Sequence, residues 1–221
     1  MSTVISNAVT ALSGNLALAP EGSGVVTIDG LTHPAADGSA GQLMKTNGSG
    51  VLSFVDAPSS GFTQPATQAA TSGASKVFSS IPSGTKMIVI SYFDISSNQG
   101  NSTGALRLVL GDGGGLETSG YISMRAQLRS SANVIFDDTS NFELSDHLDV
   151  TSSFRGSCIC TLQDAATFRW IAQWQTMDTN NAATVNVGCG SKALSAELTQ
   201  VALQISDAFD VSTGSISIMF Q

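Results

Sequence analysis

The chain has 221 residues, enough for one substantial domain plus a small appendage, and charged residues are 12% of it against the ~25% usual in globular proteins. A net charge of −8 excludes a phosphate-backbone binder, which needs clustered Lys and Arg, so no nucleic-acid partner is expected. No apolar run approaches the ~18 residues of a membrane span, so no membrane insertion is expected.

With so few charges, the polar surface must come mainly from Ser, Thr, Asn, Gln and Gly. That composition favours a neutral β-rich surface over a helical enzyme. The opening stretch, MSTVISNAVTALSGNLALAP, lacks the basic start and compact apolar core of a signal peptide. The chain is therefore expected to be made in the cytoplasm and to stay soluble.

Residues 1–12 fit a short helix or an extended arm equally well. In GNLALAPEGSGVVTIDG, Leu16 and Leu18 alternate before a Gly-rich turn and Val26 and Ile28 alternate after it, the pattern of a hairpin. A second copy follows as GQLMKTNGSGVLSFVD, carrying Leu43, Leu52 and Phe54. Hairpins this small bury little apolar surface and are marginal alone in water, so residues 1–56 are expected to need a partner. Residues 57–73, APSSGFTQPATQAATSG, read as a semi-extended linker.

Residues 74–221 are expected to form the main domain. Strand patterns occur at 74–81, at 86–95 (Ile88, Ile90 and Tyr92 on one face, Met87 and Val89 on the other), at Leu106–Leu110 and at Tyr121–Leu128. Shorter ones lie at Val134–Phe136 and Phe142–Leu144. The strongest signal is FRGSCICTLQDAATFRWIAQWQTM. Cys158, Cys160 and Leu162 alternate before an Asp164-Ala165-Ala166 turn, and Phe168, Trp170, Ala172 and Trp174 alternate after it. This pair is expected to be a hairpin at the centre of the core, which favours buried over sugar-stacking tryptophans. Thr184–Val187, Glu197–Ile205 and Ser215–Phe220 complete about nine strands; a helix is possible at 197–205, but Val201, Leu203 and Ile205 favour strand. Turn signals every 8–12 residues indicate an all-β fold, a jelly-roll-like antiparallel β-sandwich preceded by the small hairpin segment.

Candidate chemistry is sparse. Cys158, Cys160 and Cys189 make neither a disulfide framework nor a zinc set, and are expected to be structural thiols. The GDGGG loop lacks the helix and the Lys-Ser/Thr pair of a phosphate cradle and reads as a turn; Asp112 is a weak Ca²⁺ candidate. Asp146, His147 and Asp149 form a His-Asp cluster without a nucleophile, and His33 precedes Pro34 in a loop. Asp137, Asp138 and Glu143 are near in sequence, but glycan cleavage needs two carboxylates across a cleft. No enzyme activity, metal or cofactor is expected.

The segments GNLALAPEGSGVVTIDG and PAADGSAGQLMKTNGSGVLSF resemble the N-terminal cassette of tail fibre and appendage proteins of tailed bacteriophages. FSSIPSGTKMIVISYFDIS, GDGGGLETSGY and GSKALSAELTQVALQI with VSTGSISIMF resemble β-rich C-terminal modules of such proteins. The resemblance implies a virion structural protein, attached to other virion proteins through its N-terminal part and exposing its C-terminal module, usually as a homotrimer. Without a repetitive shaft, a short tail fibre or receptor-binding adhesin is expected rather than a long fibre; a capsid head fibre or decoration protein is the alternative. Docking would bury Leu16, Leu18, Val26, Ile28, Leu43, Leu52 and Phe54, with further contacts between sandwiches. A host cell-surface glycan or protein would meet polar loops, with Asn98, Gln99, Asn101, Asp137, Asp138, Asn180 and Asn181 as candidates.

Overall fold

A computed structural model describes residues 24–57, 61–100, 104–129, 133–148, 150–179, 184–210 and 214–221. The chain divides into two compact units, Met1–Ser60 and Gly61–Gln221.

In the first unit, β1 (Thr27–Ile28) pairs antiparallel with β2 (Leu31–Thr32) around Asp29-Gly30, both at positive φ (51° and 77°). Two successive left-handed residues are what a type I′ turn requires, and Asp-Gly is a favoured pair for it. The expected partners of Val26 and Ile28, Leu16 and Leu18, lie outside the described residues. The second hairpin is present: β3 (Gln42–Thr46) pairs with β4 (Leu52–Asp56). The Asn47 carboxamide accepts from the amides of Ser49 and Val51 in its loop. Among the described residues of this unit none is buried. Ile28 and Leu43 are each about half exposed, and Val26, Leu52 and Phe54 are only partly covered.

The second unit is all-β and antiparallel, with thirteen strands among its described residues: β5 (Gln68–Ala69), β6 (Ser75–Phe78), β7 (Met87–Ile95), β8 (Gly104–Asp112), β9 (Gly115–Leu116), β10 (Tyr121–Leu128), β11 (Asn133–Asp138), β12 (Phe142–Leu148), β13 (Phe154–Asp164), β14 (Arg169–Asp178), β15 (Thr184–Ala193), β16 (Gln200–Ile205) and β17 (Ser215–Phe220). The larger sheet runs β11-β10-β15-β14-β13-β7-β17-β5; the smaller runs β12-β8-β16-β6 with β9 paired to β8. The two form a sandwich-like arrangement over one core. Strands divide eight to five, and β13–β14–β15 is a plain meander. The expected all-β antiparallel sandwich is thus present.

The core sits where strand phase places it. Cys158 and Cys160 from β13, Trp170, Ala172 and Trp174 from β14, and Ile88, Ile90 and Tyr92 from β7 all point inward and are buried. They face Leu106, Leu108 and Leu110 of β8 and Val201, Leu203 and Ile205 of β16. Burial pushes the Cys158 thiol well up, and neighbouring Cys160 adds to the shift, so the Cys158 thiol is not nucleophilic. Phe168 leaves the strand: it sits in the turn at φ 48° and is only partly covered.

The expected linker is corrected from 61 onward. The amide of Thr63 donates to the Phe220 carbonyl and the Thr63 carbonyl accepts from the Phe220 amide, β5 pairs with β17, and Ala70 is fully buried. Ser, Thr, Gln and Ala readily adopt extended backbone, and the free edge of β17 supplies the hydrogen bonds such a segment lacks alone.

Candidate functional site

The described candidate loop residues fall in two places. Asn98 and Gln99 follow β7: the Asn98 amide donates to the Ala208 carbonyl, and the Gln99 carbonyl accepts from Val150. Asp137 and Asp138 are strand residues on β11, the far edge of the larger sheet, paired with Met124 and Ser123. Asp138 holds a turn, accepting from the amides of Ser140 (2.5 Å) and Asn141 (3.0 Å). The register puts Ile95, Phe154, Asp178, Thr184 and Leu128 at one end of the sheet and Asp138 toward the other. Five strand spacings of ~4.8 Å also separate β7 from β11, so these residues make two surfaces, not one. Asn101, Asn180 and Asn181 lie outside the described residues.

The Asn98 end carries a group that the sequence did not single out. Asp94 has a positive φ (52°) where the β7–β13 register shifts between Phe154 and Gly156. Its carboxylate accepts from the Ser153 hydroxyl (2.6 Å) and from Arg155 Nη2 (2.6 Å) and Nε (2.8 Å). The Arg155 guanidinium lies 4.4 Å over the ring of Phe93, which is 53% exposed. An exposed aromatic ring beside a fixed ion pair can stack on and hydrogen-bond a polar ligand. The Ser153 hydrogen bond, and then Arg155, hold the Asp94 carboxyl below the usual carboxylate range. A depressed carboxyl contributes stability that is complete above its unfolded pKa of ~3.9 and is lost as pH falls through its folded value. Denaturant midpoints measured from pH 6 downward should therefore fall below about pH 4, and Asp94→Asn should flatten that acid limb while leaving the neutral plateau lower than in the parent.

Several other charged groups serve the fold. Arg125, from β10, points between the sheets with its side chain 1% exposed, paired to Glu143 (2.6 Å) and Asp146 (3.3 Å) of β12. Asn186 accepts from the same guanidinium (2.6 Å) and donates to the Ser145 hydroxyl, and Gln127 donates to Asp146. Asp112 accepts from the Ser195 hydroxyl and the Gly114 amide inside the GDGGG turn. Lys192 pairs with Glu117, which also takes the Ser195 amide. Glu143 and Asp138, weighed as cleavage carboxylates, are thus respectively an ion-pair partner and a turn former.

One more surface has residue types that a solvent face does not call for. On β10 the inward positions include Ser123, Arg125 and Gln127, whereas Ile122 (69% exposed), Met124 (53%) and Leu128 (42%) point out. The usual alternation, apolar in and polar out, is inverted there. The register carries the outward positions across neighbouring strands: Met124, Cys189, Gln173 and Ile159 make one row, and Ile135, Ala126, Val187 and Gln175 the next. Shallow depressions lie along these rows. Of the three cysteines, Cys189 alone is exposed. The signal was legible in YISMRAQL, read by face as well as by period.

No family model, no curated protein and no solved structure matches this chain.

Proposed function

We propose that this chain is a non-enzymatic structural protein of a tailed bacteriophage virion, a short tail fibre or receptor-binding adhesin that works as a homotrimer. The first unit docks on other virion proteins and the second presents its loop-bearing end to a glycan or protein of the host surface. The observation that carries this reading is the contrast between the two units. The second encloses an extensive apolar core, while the first has no buried residue among those described and leaves Ile28, Leu43, Met44 and Val51 exposed. A hairpin segment of that kind is stabilised by what it docks on. The phage-like segments of the sequence span both units and support the same division of labour.

For recognition, the reading selects the Asn98–Gln99 end, with Phe93, Asp94 and Arg155, over Asp137 and Asp138, because one ligand does not reach both ends of the sheet. Purified protein should compete with phage for adsorption to host cells. Asn98→Ala/Gln99→Ala with Phe93→Ala should weaken that competition at least several-fold, and Asp137→Ala should leave it unchanged. Release of oligosaccharide from host polysaccharide by the purified protein would overturn the non-enzymatic reading. Antibody labelling on the head rather than the tail would replace the fibre by a head fibre or decoration protein.

A further inference from the structure

We propose that the outer face of the larger sheet, over β11, β10, β15, β14 and β13, is the surface on which another copy of this chain packs. The inference rests on the homotrimer reading only in taking the occupant to be a second copy.

The residue types make the first argument. A sheet already closed on one side by the smaller sheet has no need of apolar residues on its other side, and an antiparallel sheet with one solvated face shows polar residues there. This face instead carries Ile122, Met124, Ile135, Ile159 and Ile171, each at least 36% exposed. Contiguous apolar patches of this kind mark interaction surfaces. They also mark aggregation hazards, which a saturable occupant removes.

Size and charge identify the occupant. At ~4.8 Å between strands and ~3.4 Å per residue, five strands by four outward rows, less the β13 corner where Arg155 belongs to the recognition end, span on the order of 600 Å² of face. That approaches the ~800 Å² per partner of a standard stable interface. The chain carries a net charge of −8, so two copies repel wherever their carboxylates oppose. The two central rows carry one charged residue, Asp137, at the β11 edge; Met124, Cys189, Gln173 and Ile159 complete its row, and Ile135, Ala126, Val187, Gln175 and Ser157 make the other. Over β10, β15, β14 and β13 two acidic chains can meet along these rows without opposing charges, while Gln173 and Gln175 have carboxamides able to donate and accept across the contact.

Cys189 provides a native reporter, since it is exposed in the centre of the face while Cys158 and Cys160 are buried. Full-length protein is labelled with a maleimide at rising concentration, and its mass is measured at each step. Labelling of Cys189 should slow at least tenfold between about 0.1 μM and about 100 μM, the span that brackets interfaces of ordinary affinity. Met124→Lys and Gln173→Glu each add a charge at an exposed position and should keep the circular dichroism of the parent while restoring fast labelling. An assembly whose Cys189 labels equally fast at every concentration would overturn the inference and leave the trimer reading intact, with copies joined elsewhere. A monomer at all concentrations would overturn both. Slowing that persists in both variants would also overturn the inference.

Discussion

Replacing Glu143 and Asp146 together by alanine is expected to lower stability by about 3–5 kcal/mol, the range for stripping a buried charge of its partners. Arg125 is 1% exposed at its side chain, so its guanidinium has almost no access to water in the folded chain. Glu143, Asp146 and Asn186 accept its hydrogen bonds, the Phe136 ring lies 4.1 Å away, and Nε is already without a partner. With both carboxylates gone, one carboxamide oxygen faces a full positive charge in a low-dielectric site. Adding Arg125→Met should recover a large part of the loss, because an apolar side chain of similar length needs no partner. Recovery should stay incomplete, since Asn186 loses its donor and Gln127 its acceptor. Denaturant midpoints of the parent, double and triple variants measure this directly. A double variant as stable as the parent would mean that the ion pairs do not hold this end of the sandwich.

The sequence made the centre of this fold legible and left its margins obscure, for physical reasons. Period-two alternation survives wherever one face is buried, so Trp170, Ala172 and Trp174, and likewise Ile216, Ile218 and Phe220, identify their strands without help from pairing. It fails at Gly188-Cys189-Gly190, where β15 continues although glycine disfavours strand, because bulky rings from facing positions fill the space a side chain would take. It fails again at 61–70, where a Ser/Thr/Ala/Pro composition looks like linker and only the unpaired edge of β17 makes it a strand. The candidate site suffered from topology. Asn98 and Asp137 both belong to polar segments, but only the strand order reveals that five spacings and opposite ends of a sheet lie between them. The inverted faces of β10 needed no structure, only a comparison of Ser123, Arg125 and Gln127 with Ile122, Met124 and Leu128.

Gly188→Ala should cost about 2–3 kcal/mol, at the upper end of what overpacking a core brings. A Cβ at that position would lie 2.2 Å from Cζ2 and 2.3 Å from Cε2 of Trp174, and 2.7 Å from the Met124 carbonyl oxygen. All three separations are far inside van der Waals contact, and the backbone at Gly188 needs no positive φ, so the penalty is steric rather than conformational. The indole has little room to retreat: Trp174 is 3% exposed and Phe142 stands 5.9 Å away, ring centre to ring centre. Trp174→Leu should be destabilising by itself, because a large buried ring is replaced by a smaller side chain that leaves a void. In that background, however, the two nearest of these three atoms are gone and the Met124 carbonyl remains. The double variant should therefore be about 1–2 kcal/mol more stable than the sum of the two singles implies. Chemical denaturation of the four proteins closes the cycle. Additive losses would show that the indole is not what confines position 188 to glycine.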